Sequence, residues 1–318
     1  MARNNKKALT DTEREQRRQA QRKALEESLA ALLTSDGWKR WLKTRATLHN
    51  SYSANNTLLI AHQAFIRGIE PTYVAGFRAW LSLGRCVRKG EKGLTIWAPM
   101  RVKVRDAGND GAADGTGVGE GEKRKTIFRT TAVFDVSQTD PLPDAEPAPL
   151  QAPSLGTVEG DSHIGLIGPL EQLARGLGYQ VVWAAEIRGG AHGLCRRGRE
   201  RQIEVLTSLA PNHGVAVLIH EICHAFVGER DELRSIDRRL EEIVVESATY
   251  IACASAGLAT DVDSVPYVAG WAGTEDPVAV VQQAAGLIDE LARLIEDAIA
   301  PADDDEQAGG AAALAATA

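Results

Sequence analysis

The chain has 318 residues, of which 44% are hydrophobic and 25% charged; this excludes collagen-like and wholly disordered proteins and leaves room for two ordinary domains. Its first residues are polar and basic, and no run of about 18 apolar residues occurs, so we expect no signal peptide, no membrane span and a cytoplasmic location. Four scattered cysteines without a CxxC pair indicate reduced thiols.

The net charge of −7 averages two parts of opposite sign. Residues 1–105 carry 21 Lys and Arg against 8 Asp and Glu, whereas residues 106–318 carry 15 against 35. Without residues 1–24 the first part still holds 13 basic against 5 acidic residues. A basic block in an acidic chain predicts a polyanionic partner for the first part alone.

In chain order, the predicted elements begin with a flexible basic arm over residues 1–24 and an α+β domain over residues 25–139. Apolar residues at helical spacing predict helices within 25–33, 38–42 and 52–66, and β-branched and aromatic residues predict strands over 94–104 and 126–136. The glycine-rich and acidic stretch 106–122 predicts a mobile insertion between these strands.

A linker rich in proline and acidic residues is predicted over 140–161, followed by a second, mainly helical domain with a small sheet over 162–300. The tail 301–318 is expected to be disordered. The elements predicted for this part are helices over 164–176, 214–227, 231–256 and 277–299, and strands over 179–185 and 202–206.

The sharpest motif is an HExxH pentapeptide, made by His220, Glu221 and His224 in an apolar helical segment. Residues four apart share a helix face, so both imidazoles can reach one metal ion. The glutamate between them can then accept a proton as water attacks a carbonyl. Three polar side chains on an apolar helix are costly to bury without a partner, which favours a metal over a chance match.

A catalytic zinc needs a third protein ligand, and the next predicted helix offers Glu242 and Glu246, again four residues apart. We expect Glu246 to be the ligand, with Glu242 as the alternative or as the carboxylate that orients a ligand histidine. A solvated acidic stripe is the competing interpretation. Zn²⁺ is the expected ion, although two imidazoles and a carboxylate also accept Mn²⁺ or another divalent ion.

Cations and aromatic residues coincide in the first part, a combination typical of proteins that bind single-stranded nucleic acid. The densest cationic stretch, residues 84–93, has glycines at both ends, which suits a loop that follows phosphates. The alternative is that the tryptophans fill a core at helical spacing and the cations belong to a solvated turn.

The motifs W-K-R-W-L, Y-S-A-N-N-T-L-L-I-A-H-Q, V-A-G-F-R-A-W and V-F-D-V-S-Q-T resemble the N-terminal single-stranded-DNA-binding domain of ArdC-type antirestriction proteins. The second part is similar to the zincin metallopeptidase domain of those proteins, akin to the ImmA/IrrE peptidases. In that resemblance His220, Glu221 and His224 match the motif and Glu246 matches the downstream acidic ligand. Tyr267 matches a tyrosine that would stabilise the oxyanion.

The sequence therefore predicts an antirestriction or mobile-element protein with a DNA-binding part and a zinc metallopeptidase part acting on an unknown protein substrate. Two alternatives stay open: a DNA-binding module whose metal site is not proteolytic, and a regulatory metallopeptidase whose basic domain docks a protein partner. The candidate DNA-binding residues are Trp38, Trp41, Tyr52, Asn55, Trp80, Arg85, Arg88, Lys89 and Lys92.

Overall fold

The computed structural model describes residues 11–48, 51–103, 124–143, 156–230, 238–260, 265 and 276–300. Within this part of the chain, the residues before 74 and after 155 form one compact unit, called unit 1, and residues 74–143 form a second, called unit 2. Helices and small sheets occur together, so the predicted α+β class is confirmed.

The helices are α1 (Asp11–Ala31), α2 (Ser35–Leu48), α3 (Ala54–Ile66), α4 (Phe77–Ser82), α5 (Ile167–Gly176), α6 (Pro211–Glu229), α7 (Arg238–Ser255) and α8 (Pro277–Ile299). The strands are β1 (Val74–Gly76), β2 (Arg85–Val87), β3 (Leu94–Lys103), β4 (Arg124–Asp135), β5 (Thr139–Pro141), β6 (Gly156–Thr157), β7 (Gln180–Ala184), β8 (Gly193–Arg196), β9 (Gln202–Leu206) and β10 (Leu258–Ala259). Among the described helices, none combines the length and the apolar character needed to cross a membrane.

Unit 1 is built around one hydrophobic cluster that joins both ends of the described chain. Trp38, Trp41 and Leu42 of α2 are buried in the same cluster as side chains of α6, α7 and α8. The apolar residues of α2 recur at helical spacing, so one face of this helix is buried while its charged residues lie elsewhere. Burial of such large side chains removes much apolar surface from water and fixes α2 in this unit.

A buried ionic network accompanies the cluster. The guanidinium of Arg45, on α2, is fully buried and donates to Glu296 of α8 over 3.0 and 2.9 Å. It also donates to Asp289, whose other carboxylate oxygen accepts from the backbone N–H of Ala54 at the start of α3, 3.2 Å away. Asp289 thus satisfies one of the free N–H groups of the first turn of α3.

A three-stranded sheet in order β7-β9-β8 lies against α6 in unit 1. Strands β7 and β9 are parallel, whereas β8 pairs antiparallel with β9 and has no partner strand on its other side among the described residues. This arrangement places the edge strand β8 beside the middle of α6, where the HExxH residues lie.

Unit 2 contains a sheet in order β1-β4-β3 and a two-stranded pair of β2 with β5. The long strands β3 and β4 pair antiparallel, and Trp80 of α4 is fully buried and donates through its indole N–H to the carbonyl of Phe134, 3.0 Å away. Gln138 follows β4 and donates to Glu91 and to the carbonyl of Lys92, each over 3.0 Å. These bonds hold the cationic turn that leads into β3.

The structure divides the chain differently from the predicted domains. We expected one domain over 25–139 and another over 162–300, but α1, α2 and α3 share unit 1 with the C-terminal helices because their apolar faces pack into its core. Residues 11–24, expected in a flexible arm, lie in α1, whose Arg, Glu, Gln and Ala residues favour helix. The predicted linker begins in β5 and ends beyond β6.

Several predicted elements agree with the structure within a few residues, notably α8 and β9. The short elements β1, β2, β5, β8 and α4 were not predicted, since three to six residues give no clear period. The predicted insertion at 106–122 and the tail at 301–318 lie outside the described residues.

Candidate metal centre

Helix α6 holds the HExxH residues near its middle. Pro211 occupies the first turn, where its missing N–H costs no hydrogen bond, and an apolar face anchors the helix in the core. One helical turn separates His220 from His224, so the two rings meet with their Nε2 atoms 3.1 Å apart and their centroids 4.8 Å apart. The predicted sharing of one helix face by the two histidines is confirmed.

Helix α7 brings the acidic residues to this pair. The Oε2 atom of Glu242 lies 3.6 Å from Nε2 of His224, the atom that faces His220. Glu246 instead lies on the other side of His220, with its Oε1 atom 3.7 Å from Nδ1. Within the described residues, His220, His224 and Glu242 form the one group whose potential ligand atoms all lie within 4.8 Å of one another.

We expected Glu246 to be the third ligand, but the spacing of the potential ligand atoms favours Glu242. Both carboxylates lie near a histidine, but only Glu242 approaches the space that the two Nε2 atoms share. Burial, and after it the nearby charge of Glu242, raise the pKa of Glu246. Glu246 lies where its carboxylate could orient the ring of His220 through Nδ1. From the sequence, this orienting role was one of the two that we expected for Glu242.

Glu241 fills that orienting position on the other histidine, and sequence reasoning missed it. Its Oε1 atom lies 2.9 Å from Nδ1 of His224. Because a carboxylate accepts, Nδ1 of His224 carries the proton and its Nε2 lone pair faces His220 and Glu242. Arg197 donates both to Glu241 and to the backbone carbonyl of His224, the latter over 2.8 Å.

Electrostatics separate the roles of these groups. Burial raises the pKa of Glu241, but hydrogen bonds from Arg197 and His224 outweigh it and leave that pKa below its usual value. Burial and the neighbouring His224 lower the pKa of His220 to about 4, so His220 is neutral at pH 7. A neutral imidazole is the state in which a histidine binds a metal ion, and a charged Glu241 is the state that accepts a hydrogen bond from Nδ1 of His224.

Glu221 lies beside the two histidines and next to the edge strand β8. Burial raises its pKa to about 7, while a hydrogen bond from the backbone N–H of Cys195 in β8 acts in the opposite direction. Gly193 permits this approach, because a Cβ atom there would lie 2.5 Å from Val217 and 2.7 Å from Oε1 of Glu221. Cys195 is part of this strand.

A cavity of about 730 Å³ opens over these groups. His220, Glu221 and Glu246 line one part of it, and a pair of histidines, His192 and His213, lines another with ring centroids 5.1 Å apart. Burial, and after it the neighbouring His192, lower the pKa of His213. Tyr250 of α7 also lines the cavity, whereas Tyr267, the predicted oxyanion residue, lies outside the described residues.

The donor set fits a divalent cation. Tetrahedral coordination with metal–nitrogen distances of 2.0–2.1 Å places neighbouring ligand atoms about 3.3 Å apart. The separations of 3.1 Å between the histidine Nε2 atoms and 3.6 Å from His224 to Glu242 lie on either side of that value. The groups that could hold the ion are therefore His220, His224 and Glu242.

The aromatic residues predicted to bind DNA are buried. Trp38, Trp41 and Tyr52 belong to unit 1 and Trp80 to unit 2, and none is more than 5% exposed. The indole N–H of Trp41 donates to the Thr57 hydroxyl, 3.1 Å away. These side chains have no open face for a base, so their predicted stacking role is corrected and the competing core interpretation describes them.

The cations among the predicted residues fall into two groups. Arg85 donates to the Thr139 hydroxyl over 2.8 Å, and Arg88 bonds to Glu91 and to the Ser137 carbonyl, so both support the turn itself. Lys89 and Lys92 are exposed in the same turn, and Asn55 is exposed on α3 in unit 1. Asn55 thus belongs to unit 1, whereas the four cations belong to unit 2.

One segment in the first half of the chain matches a known family model. Residues 15–134 match the family model for the N-terminal domain of anti-restriction factor ArdC. That match runs from α1 to β4 and so takes in residues of both units.

Two further comparisons concern larger parts of the chain. An uncharacterized protein of Bacillus anthracis is 26% identical to this chain over 247 residues. The matched region covers 70% of this chain and 41% of the length of that curated relative. The antirestriction protein ArdC from the R388 plasmid shares the fold, with a TM-score of 0.55 and 22% identity in both a metal-free and a Mn(II)-bound crystal structure. The metal-free comparison covers 87% of this chain and 97% of that one, and the Mn(II)-bound comparison 88% and 99%.

Proposed function

We propose that this chain is an ArdC-like antirestriction protein with a metal-dependent peptidase site in unit 1 and single-stranded DNA as the ligand of its basic part. The antirestriction role is supported by the family match of residues 15–134 and by the fold shared with ArdC of plasmid R388. A divalent ion is supported by the Mn(II)-bound form of that ArdC and by the donor set described above.

The observation that carries the peptidase proposal is the convergence of His220, His224 and Glu242. His220 also lines the same cavity as the carboxylate of Glu221. A divalent cation held by the first three would act as a Lewis acid that polarises a peptide carbonyl. Glu221, held by the Cys195 backbone N–H, would take a proton from the attacking water and pass it to the leaving amine.

The surrounding residues have positioning roles in this proposal. Glu241 fixes the ring of His224 through Nδ1, and Arg197 holds Glu241 in place. The cavity of about 730 Å³ is large enough for a few residues of a substrate chain, and His192, His213 and Tyr250 would face that substrate. The test uses unfolded proteins of mixed sequence.

The test compares Glu221→Gln with the parent chain, both loaded with Zn²⁺ or Mn²⁺, on a fluorescent unfolded protein. We expect loss of hydrolysis by about 10²- to 10⁴-fold with unchanged metal content, because the amide keeps the shape but cannot accept the proton. Glu186→Gln, at an exposed position, is the matched control and should hydrolyse like the parent. Equal hydrolysis by all three proteins would refute the assignment of Glu221.

Metal binding without hydrolysis of any peptide would favour the alternative in which the site is not proteolytic. In that alternative a structural ion is normally closed by four protein ligands, whereas the described cluster offers three. The comparison of bound metal with hydrolysis therefore separates the two interpretations.

DNA binding is supported by a second observation, the charge of unit 2. Its described residues carry ten Lys and Arg against three Asp and Glu, a net of +7 in a chain whose total is −7. The test is a salt titration of a fluorescent single-stranded oligonucleotide on the full chain, with duplex DNA and an acidic protein as competitors. Preference for the single strand and a steep salt dependence support DNA; displacement by the acidic protein alone would favour the protein-docking alternative.

A further inference from the structure

The register of β3 and β4 sorts their side chains onto two faces. Leu94 lies opposite Val133, and Ile96 opposite Thr131, on the face whose apolar side chains are buried. Because successive side chains point to opposite faces, the positions between them share the other face, which we call the outer face. From the cross-strand pairs Thr95 with Ala132, Trp97 with Thr130 and Pro99 with Phe128, the outer face consists of Thr95, Trp97, Pro99, Phe128, Thr130 and Ala132.

The outer face is open, in contrast to the covered one. Leu94, Ile96 and Val133 are at most 3% exposed, whereas Phe128 is 65% exposed. Thr95, Pro99 and Ala132 are exposed as well, and Trp97 is half-buried. Unit 2 therefore buries Trp80 but leaves the ring of Phe128 exposed to water. A ligand that covered this ring would remove its apolar surface from water, which is favourable.

Two aromatic residues lie within reach of each other on this face. Trp97 is paired with Thr130, and Phe128 is two residues from Thr130 on the same strand. Such diagonal neighbours are about 7–8 Å apart and remain within reach of aromatic side chains. Flat rings in this arrangement can receive neighbouring bases of one strand, and they can do so only if the bases are not already stacked in a duplex.

The charge around the outer face selects a polyanion over an apolar or neutral partner. The exposed Lys89 and Lys92 lie in the turn that leads into β3, and the turn is held in place by the side chain of Gln138. These two cations favour an anionic ligand at this end of the strand pair.

We propose that single-stranded DNA binds along the outer face of β3 and β4, with bases stacked on Phe128 and Trp97 and phosphates near Lys89 and Lys92. This inference rests on the proposed DNA binding. In place of the buried tryptophans, it assigns base stacking to a surface that a base can reach. It assigns the contact to unit 2 alone.

The experiment measures binding of fluorescein-labelled oligo(dT) to the full chain by anisotropy. Phe128→Ala should raise Kd by about 5- to 150-fold, the range expected for loss of one stacked base, and Trp97→Ala should act in the same direction. Phe128→Tyr keeps the ring and should bind within about twofold of the parent, as judged by the tolerance of stacking for different rings. Phe77→Ala removes an exposed ring on α4, outside the strand pair, and should leave Kd unchanged.

The salt dependence distinguishes stacking from charge. Phe128→Ala should leave the slope of log Kd against log salt unchanged, because it removes no phosphate contact, whereas Lys89→Ala should reduce it by about 0.7. If the parent binds and Phe128→Ala binds equally well, the outer face is not the DNA surface, although DNA binding stands. If the parent binds no single strand at low salt, both the DNA-binding proposal and this inference fail.

Discussion

Arg45 of α2 and Glu296 of α8 are joined by two parallel hydrogen bonds, Nη1 to Oε1 over 3.0 Å and Nη2 to Oε2 over 2.9 Å, although they lie 251 residues apart in the chain. The guanidinium is fully buried, so removal of one partner leaves a charge without full compensation in the core. Together with the pair between Arg45 and Asp289, this ion pair links α2 to α8.

We expect Glu296→Ala to lower the free energy of unfolding by about 3–5 kcal/mol, the usual cost of breaking a buried ion pair. Glu27→Ala removes an exposed partner of Lys23, 3.7 Å away on α1, and should cost less than about 1 kcal/mol. Urea unfolding followed by circular dichroism measures both. Similar losses for the two variants would mean that the Arg45 network adds no more stability than a surface pair.

The choice between Glu242 and Glu246 predicts a difference in metal affinity. Glu242→Ala removes a ligand atom and should weaken Zn²⁺ or Mn²⁺ binding by more than about 100-fold, whereas Glu246→Ala removes an orienting contact and should cost about 10-fold. Isothermal titration calorimetry on the metal-free chain gives both constants. The reverse order would restore Glu246 as the ligand.

Glu241 should affect the ion without touching it. Glu241→Ala frees the ring of His224 and should reduce metal affinity by about 10- to 100-fold with little change in stability. Glu241→Gln keeps a hydrogen-bond acceptor and should lose less affinity than Glu241→Ala. If neither variant alters metal affinity, Glu241 serves only to pair with Arg197.

Two glycines offer a matched test of the close approach between β8 and α6. A Cβ at position 193 would lie within 3.0 Å of Val217 and Glu221, so Gly193→Ala should displace Glu221 and reduce hydrolysis together with stability. Gly286 is exposed on α8, and a Cβ there meets nothing within 4 Å. Gly286→Ala should therefore raise the free energy of unfolding by about 0.5–1 kcal/mol without changing hydrolysis.

Sequence reasoning located the helix with His220, Glu221 and His224, because the spacing of these residues depends only on the local geometry of one helix. It preferred Glu246 to Glu242, whereas the spacing of the ligand atoms favours Glu242. Both residues lie on the same face of α7, so the choice depends on how α7 packs against α6. Glu241 was missed for the same reason: its bond to His224 spans 17 residues and two helices.

The tryptophans illustrate a different limit. The helical spacing of Trp38 and Trp41 predicts an apolar helix face that packs against a partner. The spacing does not distinguish a nucleic acid from the rest of the chain as that partner. The partner is the core formed with α7 and α8, 200 or more residues further along. Phe128 looks equally apolar in the sequence, and only the register of β4 against β3 places it on the open face.

Unit 2 is an insertion within unit 1, since the described chain enters it after α3 and returns to unit 1 at β6. No single cut in the polypeptide can separate the two units intact. A fragment that stops between them would carry α1, α2 and α3 without the helices that cover Trp38 and Trp41, and we expect it to aggregate. To obtain unit 1 alone one must excise an internal segment and rejoin the ends, and to transfer unit 2 one must graft it at two points.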